Sequence, residues 1–156
     1  IDYINKQDLQ PAKDEFTADK QVLNNIYSTT SGKADDSKFV SCGKFDFAFR
    51  NSGSNINIQY RLKSTPASDV TVYITLEQNY NENGYQFQVP STGKTFTSTT
   101  NKFTDLPTFG ANIANSELNV LYLLYPGESD LYRLTFYRLQ QTTPATNDFV
   151  TVCEKF

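Results

Sequence analysis

Histidine, methionine and tryptophan are absent from the 156 residues. Without histidine the chain has neither the commonest general base nor the ordinary serine and cysteine triads. Ser41-Cys42-Gly43 is therefore read as a structural cysteine, since no imidazole can activate its thiol. Two cysteines and no histidine also fall short of the usual four-ligand zinc set, and no cofactor or metal is expected. The longest apolar runs, such as NVLYLLY at 119–125, are far shorter than the ~18 residues of a membrane helix, so no membrane insertion is expected. Basic residues are scattered and the net charge is −3, which lacks the concentrated cationic footprint that nucleic acid requires. None of the asparagines opens an Asn-x-Ser/Thr sequon.

The two cysteines that are present, Cys42 and Cys153, flank nearly all the strand-like sequence. As a disulfide they would close a loop of about 110 residues, worth about 4 to 5 kcal/mol on the chain-entropy model. A disulfide, together with a chain that begins at Ile1 and holds no methionine, leads us to expect a processed, secreted protein, extracellular or periplasmic.

We expect one domain, 1–156, in two parts. In 1–38, the apolar residues Phe16, Val22, Leu23 and Ile26 suggest a helix from Asp8 to Tyr27, followed by a polar loop. In 39–156 the period becomes two. Phe45, Phe47 and Phe49 alternate with polar or small neighbours, as do Ile56, Ile58, Tyr60 and Leu62, then Val70, Val72, Ile74 and Leu76, then Tyr85, Phe87 and Val89. Matching side-chain parity predicts a four-strand antiparallel meander. Within it Arg50 pairs with Asn55, Leu62 with Val70, and Glu82 with Tyr85 across an Asn83-Gly84 turn. Further on, Pro126-Gly127 predicts a turn that sets Val120, Tyr122 and Leu124 against Phe136, Leu134 and Tyr132. The fold class is mainly β with an N-terminal helix: an antiparallel β-sandwich or barrel of seven to eight strands.

Residues 79–84, NYNENG, imitate the start of a calcium loop, with oxygen ligands at alternate positions before a glycine. The position that should supply a bidentate glutamate is Pro90, so the hairpin reading is preferred. Asp46 and Glu77, the carboxylates in predicted strand interiors, are read as solvated surface acids, although a carboxylate-type hydrolase stays open. The favoured binding residues form one polar face of the meander: Asn57, Gln59, Arg61, Tyr73, Thr75, Glu77, Gln86 and Gln88. Such an array of amides, hydroxyls and aromatic rings suits a protein or carbohydrate partner. Ten tyrosines and no tryptophan tilt that expectation toward protein. The expected function is a secreted, non-catalytic binding or surface-assembly module. The alternative is a carrier of a small hydrophobic ligand, with Phe45, Phe47, Phe49, Ile58, Val72, Ile74, Phe87 and Phe136 lining a barrel.

Overall fold

The computed structural model describes residues 19–27, 38–52, 55–80, 84–88, 93–106, 113, 116–142 and 145–156. These residues are all-β, with antiparallel pairing throughout and no helix. Two sheets carry most of the architecture. The four-stranded one is built on β3 (Phe45–Ser52) and β4 (Asn55–Leu62), flanked by β2 (Val40–Cys42) and β9 (Thr104–Asp105). The six-stranded one runs in the order β1 (Asp19–Tyr27), β12 (Ala145–Lys155), β11 (Leu131–Thr142), β10 (Leu118–Leu124), β6 (Ile74–Tyr80), β7 (Gly84–Gln88). A two-stranded ribbon, β5 (Val70–Val72) with β8 (Lys94–Phe96), completes the set.

The helix expected from Asp8 to Tyr27 is corrected over its second half: Asp19–Tyr27 is β1, paired with β12 from Asp19↔Cys153 to Tyr27↔Thr146. Residues 8–18 lie outside the described residues. The stretch includes the β-branched Val22 and Ile26, and a long neighbouring strand supplies backbone partners that outweigh a weak helical period.

Alternation does place the core correctly in β3 and β4. Phe45, Phe47 and Phe49 pair with Leu62, Tyr60 and Ile58, and all six are buried. The register is displaced by two residues from the Arg50–Asn55 pairing, and an even displacement leaves every side chain on its expected face. The meander, however, stops at β4. Both backbone groups of Leu62 that would have met Val70 are held by one side chain: Asn101 Oδ1 accepts from Leu62 N at 3.0 Å and Asn101 Nδ2 donates to Leu62 O at 2.8 Å. The edge of β4 pairs with β9 instead. The 70–77 run divides at Tyr73, β5 joining β8 and β6 crossing to the six-stranded sheet beside β10.

In two hairpins the slip is odd, and the faces change. β6 and β7 pair Tyr80 with Gly84 and Glu77 with Phe87, so three residues, 81–83, connect them rather than a two-residue Asn83-Gly84 turn. Phe87 is therefore 55% exposed instead of lining an interior. Between β10 and β11, Leu121 opposes Leu134 and Val120 opposes Thr135. The buried set on β10 is Asn119, Leu121 and Leu123, not Val120, Tyr122 and Leu124. The Pro126-Gly127 turn stands where expected: Gly127 has φ +83° and Glu128 N donates to Tyr125 O at 3.0 Å.

One core serves both large sheets. The Phe49 ring from β3 stacks on Phe149 of β12 with centroids 4.0 Å apart and meets Phe136 of β11 edge-on at 5.0 Å. The ribbon covers a flank through Phe96, whose ring is 5.3 Å from that of Tyr60. Burial raises the Tyr60 hydroxyl pKa above its ordinary value. The disulfide expected between Cys42 and Cys153 is present, joining β2 of one sheet to β12 of the other. Such a bond is compatible with an extracellular or periplasmic location. At the opposite end of β11, Arg138 and Glu117 are buried. Arg138 Nη1 donates to Ile113 O, and Ile113 N donates to Ile56 O at 2.8 Å, tying this segment to β4. Asn119 Nδ2 donates to Glu117 Oε1 at 2.9 Å. Burial lowers the Arg138 pKa, and the nearby Glu117 charge opposes that shift. Nothing in the spacing of residues 113, 117, 119 and 138 signals this cluster.

Candidate functional site

The eight residues expected to form one polar array are distributed over three places. Asn57, Gln59 and Arg61 lie on β4 in the four-stranded sheet, whereas Thr75 and Glu77 lie on β6 in the six-stranded sheet, with Tyr73 just before it. On β7, Gln86 and Gln88 are paired with Gln78 and Leu76, register positions opposite in parity to Glu77 and Phe87. The crossing at Tyr73 and the odd slip of β7 together account for the dispersal.

The β4 group is engaged within the fold. Asp46, expected as a solvated acid, is 2% exposed; Ser41 Oγ donates to its Oδ1 at 2.7 Å and Arg61 Nε to its Oδ2 at 3.1 Å. The Arg61 guanidinium lies over the rings of Phe103 and Phe39, 4.3 and 5.1 Å from their centroids. A planar, weakly hydrated cation suits that slot between two rings and a carboxylate. Gln59 Nε2 donates to Asp105 Oδ1 at 2.7 Å, and the side-chain oxygens of Asn57 and Gln59 are buried without hydrogen-bond partners. Both amides are half-buried, with their oxygens turned away from solvent. Replacing Arg61 by alanine is expected to cost about 2 kcal/mol in urea unfolding. That is below the ~3–5 kcal/mol for breaking a fully buried pair, because the side chain is 27% exposed. Arg61→Lys should recover less than half of the loss, and an unchanged midpoint for Arg61→Ala would show that the slot is not structural.

The outer face of the six-stranded sheet is different in character. Its side chains come from alternate positions: Thr75 and Glu77 on β6; Leu118, Val120, Tyr122 and Leu124 on β10; Arg133, Thr135, Tyr137 and Leu139 on β11; Asp148, Val150, Val152 and Glu154 on β12. Phe87 joins them opposite Glu77. Tyr73 precedes β6 in the same alternation, and Phe156 follows β12 with its ring 4.8 Å from the Arg133 guanidinium. The exposed large apolar side chains among the described residues are Tyr73, Phe87, Leu118, Leu124, Leu139 and Phe156. Every one belongs to this face or its margin. A sheet face open to water is ordinarily polar, and large apolar side chains left exposed on one such face make it a candidate contact surface.

The charged side chains placed on this face are Glu77, Arg133, Asp148 and Glu154. Arg133 Nε and Nη2 each lie 2.7 Å from Glu154 Oε2, and this bond to Glu154 holds the guanidinium pKa above its usual value. Glu77 stands toward the β7 edge and Asp148 toward the β1 edge. Elsewhere, a shallow polar depression between Gly43-Lys44 and Gly127–Tyr132 is spanned by a Lys44–Glu128 ion pair at 3.3 Å. Among the described residues no group of three or more His, Cys, Asp or Glu side chains is arranged to hold a metal. No family model matches the chain, and comparisons with curated proteins and with solved structures give no match either.

Proposed function

We propose that the protein is a secreted, non-catalytic binding or surface-assembly module whose contact surface is the outer face of the six-stranded sheet. The observation that carries this reading is the collection of exposed Tyr73, Phe87, Leu118, Leu124, Leu139 and Phe156 on that one face. Exposed tyrosine, phenylalanine and leucine contribute most to binding when water is excluded by a second polypeptide. We read the two large sheets as the layers of a β-sandwich, with Phe49 as the ring that bridges them. The carrier alternative has less in its favour, since the rings assigned to a cavity wall, Phe49 and Phe136 among them, pack on one another and Phe87 points outward.

The test is a photo-activated benzophenone side chain at position 124, irradiated in the native extracellular or periplasmic setting. A covalent adduct to a polypeptide is the expected product. Adduct to glycan, or no adduct at all, would reject the reading.

A further inference from the structure

We propose that the depression between the Gly43-Lys44 turn and the 125–130 connection is a binding site for a neutral saccharide. None of its lining residues is among the six exposed apolar side chains of the outer face, so the two readings stand independently. Its walls come from both large sheets. Gly43 and Lys44 join β2 to β3, whereas the segment from Gly127 to Asp130, with Tyr132, belongs to the β10–β11 connection and the start of β11. Loops carried on a rigid scaffold are where binding groups collect. Here the scaffold is tied beside the site, since Cys42, bonded to Cys153 of the other sheet, immediately precedes Gly43.

The depression encloses about 440 Å³, inside the ~300–1,000 Å³ of small-molecule sites. Such sites are ordinarily lined by apolar groups. This one is lined by an ammonium, two carboxylates and two hydroxyls, one of them carried on an aromatic ring, so its ligand is polar over most of its surface. Charge narrows the class further. Lys44 Nζ lies 3.3 Å from Glu128 Oε1, and Lys155 Nζ lies 3.3 Å from Asp130 Oδ2, so two cations and two carboxylates cancel. A ligand of either net charge finds no matching field, and a zwitterion would have to open both pairs. A hydroxyl does not: it donates to a carboxylate oxygen, accepts from the ammonium and leaves the pair in place. A sugar repeats that dual donor and acceptor around its ring. The four charged side chains are between 37% and 55% exposed and within reach of such a ligand. Exposed pairs of this kind contribute little to stability, so adjusting them costs the fold little.

One ring and two glycines complete the site. A Cβ added at Gly43 would stand 2.8 Å from Tyr132 Cδ2, and the absence of that atom lets the ring lie against the turn. Tyr132 thereby brings an apolar surface for the C–H face of a pyranose together with a polar hydroxyl. Gly127, at φ +83°, borders open space, since a Cβ there would meet nothing within 4 Å.

Saturation-transfer NMR of the disulfide-bonded protein tests the assignment, using the neutral trisaccharides of glucose, galactose, mannose and N-acetylglucosamine, with trigalacturonate and glycine as charged and zwitterionic comparisons. At least one neutral trisaccharide is expected to receive saturation, and the charged and zwitterionic probes none. Glu128→Gln and Asp130→Asn should each weaken that binding by about tenfold, because each removes a charged acceptor. Gly127→Asn should weaken it by a similar factor with every binding group retained, since asparagine tolerates positive φ and sets a side chain at the lining. Asp69→Asn, outside the lining, should bind as wild type does. Thermal unfolding checks that each variant is folded. Silence from all four neutral trisaccharides, transfer to trigalacturonate or glycine instead, or binding unchanged in folded Glu128→Gln and Asp130→Asn would overturn the proposal.

Discussion

Removing the disulfide, as Cys42→Ala with Cys153→Ala, is expected to lower the unfolding free energy by about 4 to 5 kcal/mol, the largest effect of any change considered for this chain. The bond joins residues 111 apart in sequence and bridges two sheets that otherwise meet through side chains. Breaking it frees most of the chain in the unfolded state. On the folded side, Cys42 is 1% exposed and Cys153 pairs in register with Leu134 on the core side of β12, so the two alanines also leave a void beside the core. A loss of 4 to 5 kcal/mol is a large share of the ~5–15 kcal/mol that holds an ordinary domain together. Urea titration of the native and double-alanine proteins measures the difference. Coincident midpoints would mean that the sheets hold each other without the cross-link.

Phe49→Ala should cost about 3 to 5 kcal/mol, in the range for a buried phenylalanine truncated to alanine. Phe49 is 3% exposed and touches rings from two strands of the six-stranded sheet, so its removal opens a void where the two sheets meet. Its informative counterpart is Phe87→Ala. The sequence pattern puts both rings in the same inward set, whereas the structure leaves Phe87 55% exposed beside Glu77. Phe87→Ala is accordingly expected to stay within ~0.5 kcal/mol of wild type. Equal losses at the two positions would mean that β7 has the opposite face inward.

That contrast shows which kind of information a sequence holds. Alternation identified the buried faces of β3 and β4 because every second residue is strongly apolar and the others are polar or small. It misassigned β10 because NVLYLLY is apolar at nearly every position, leaving parity to be decided by the length of the 125–130 connection. At β7 the loop was again decisive, since three connecting residues and two give opposite faces. Sheet membership was invisible altogether. Asn101, 39 residues beyond Leu62, occupies the backbone groups that would have extended the meander, and no local pattern announces such a contact. β1 was hidden because its partner β12 lies at the far end of the chain.

The candidate site follows from these same differences. Alternation places Asn57, Gln59 and Arg61 opposite the apolar face of β4, but gives no sign that Phe39 and Phe103 lie against Arg61 or that Asp105 holds Gln59. Tyr73, Thr75 and Glu77 were recognised as outward-facing, and they border the apolar face that the altered registers of β7 and β10 create. Thus the expected surface is polar, and the face now proposed is mixed and largely apolar, with tyrosine common to both.

The central claim, that contact is made through the outer face of the six-stranded sheet, is tested most directly by comparing photo-cross-linking from position 124 with that from position 59 on the other sheet. The account predicts polypeptide adducts from 124 and none from 59. Adducts from 59 with none from 124 would contradict it and return the contact to the polar face of β4.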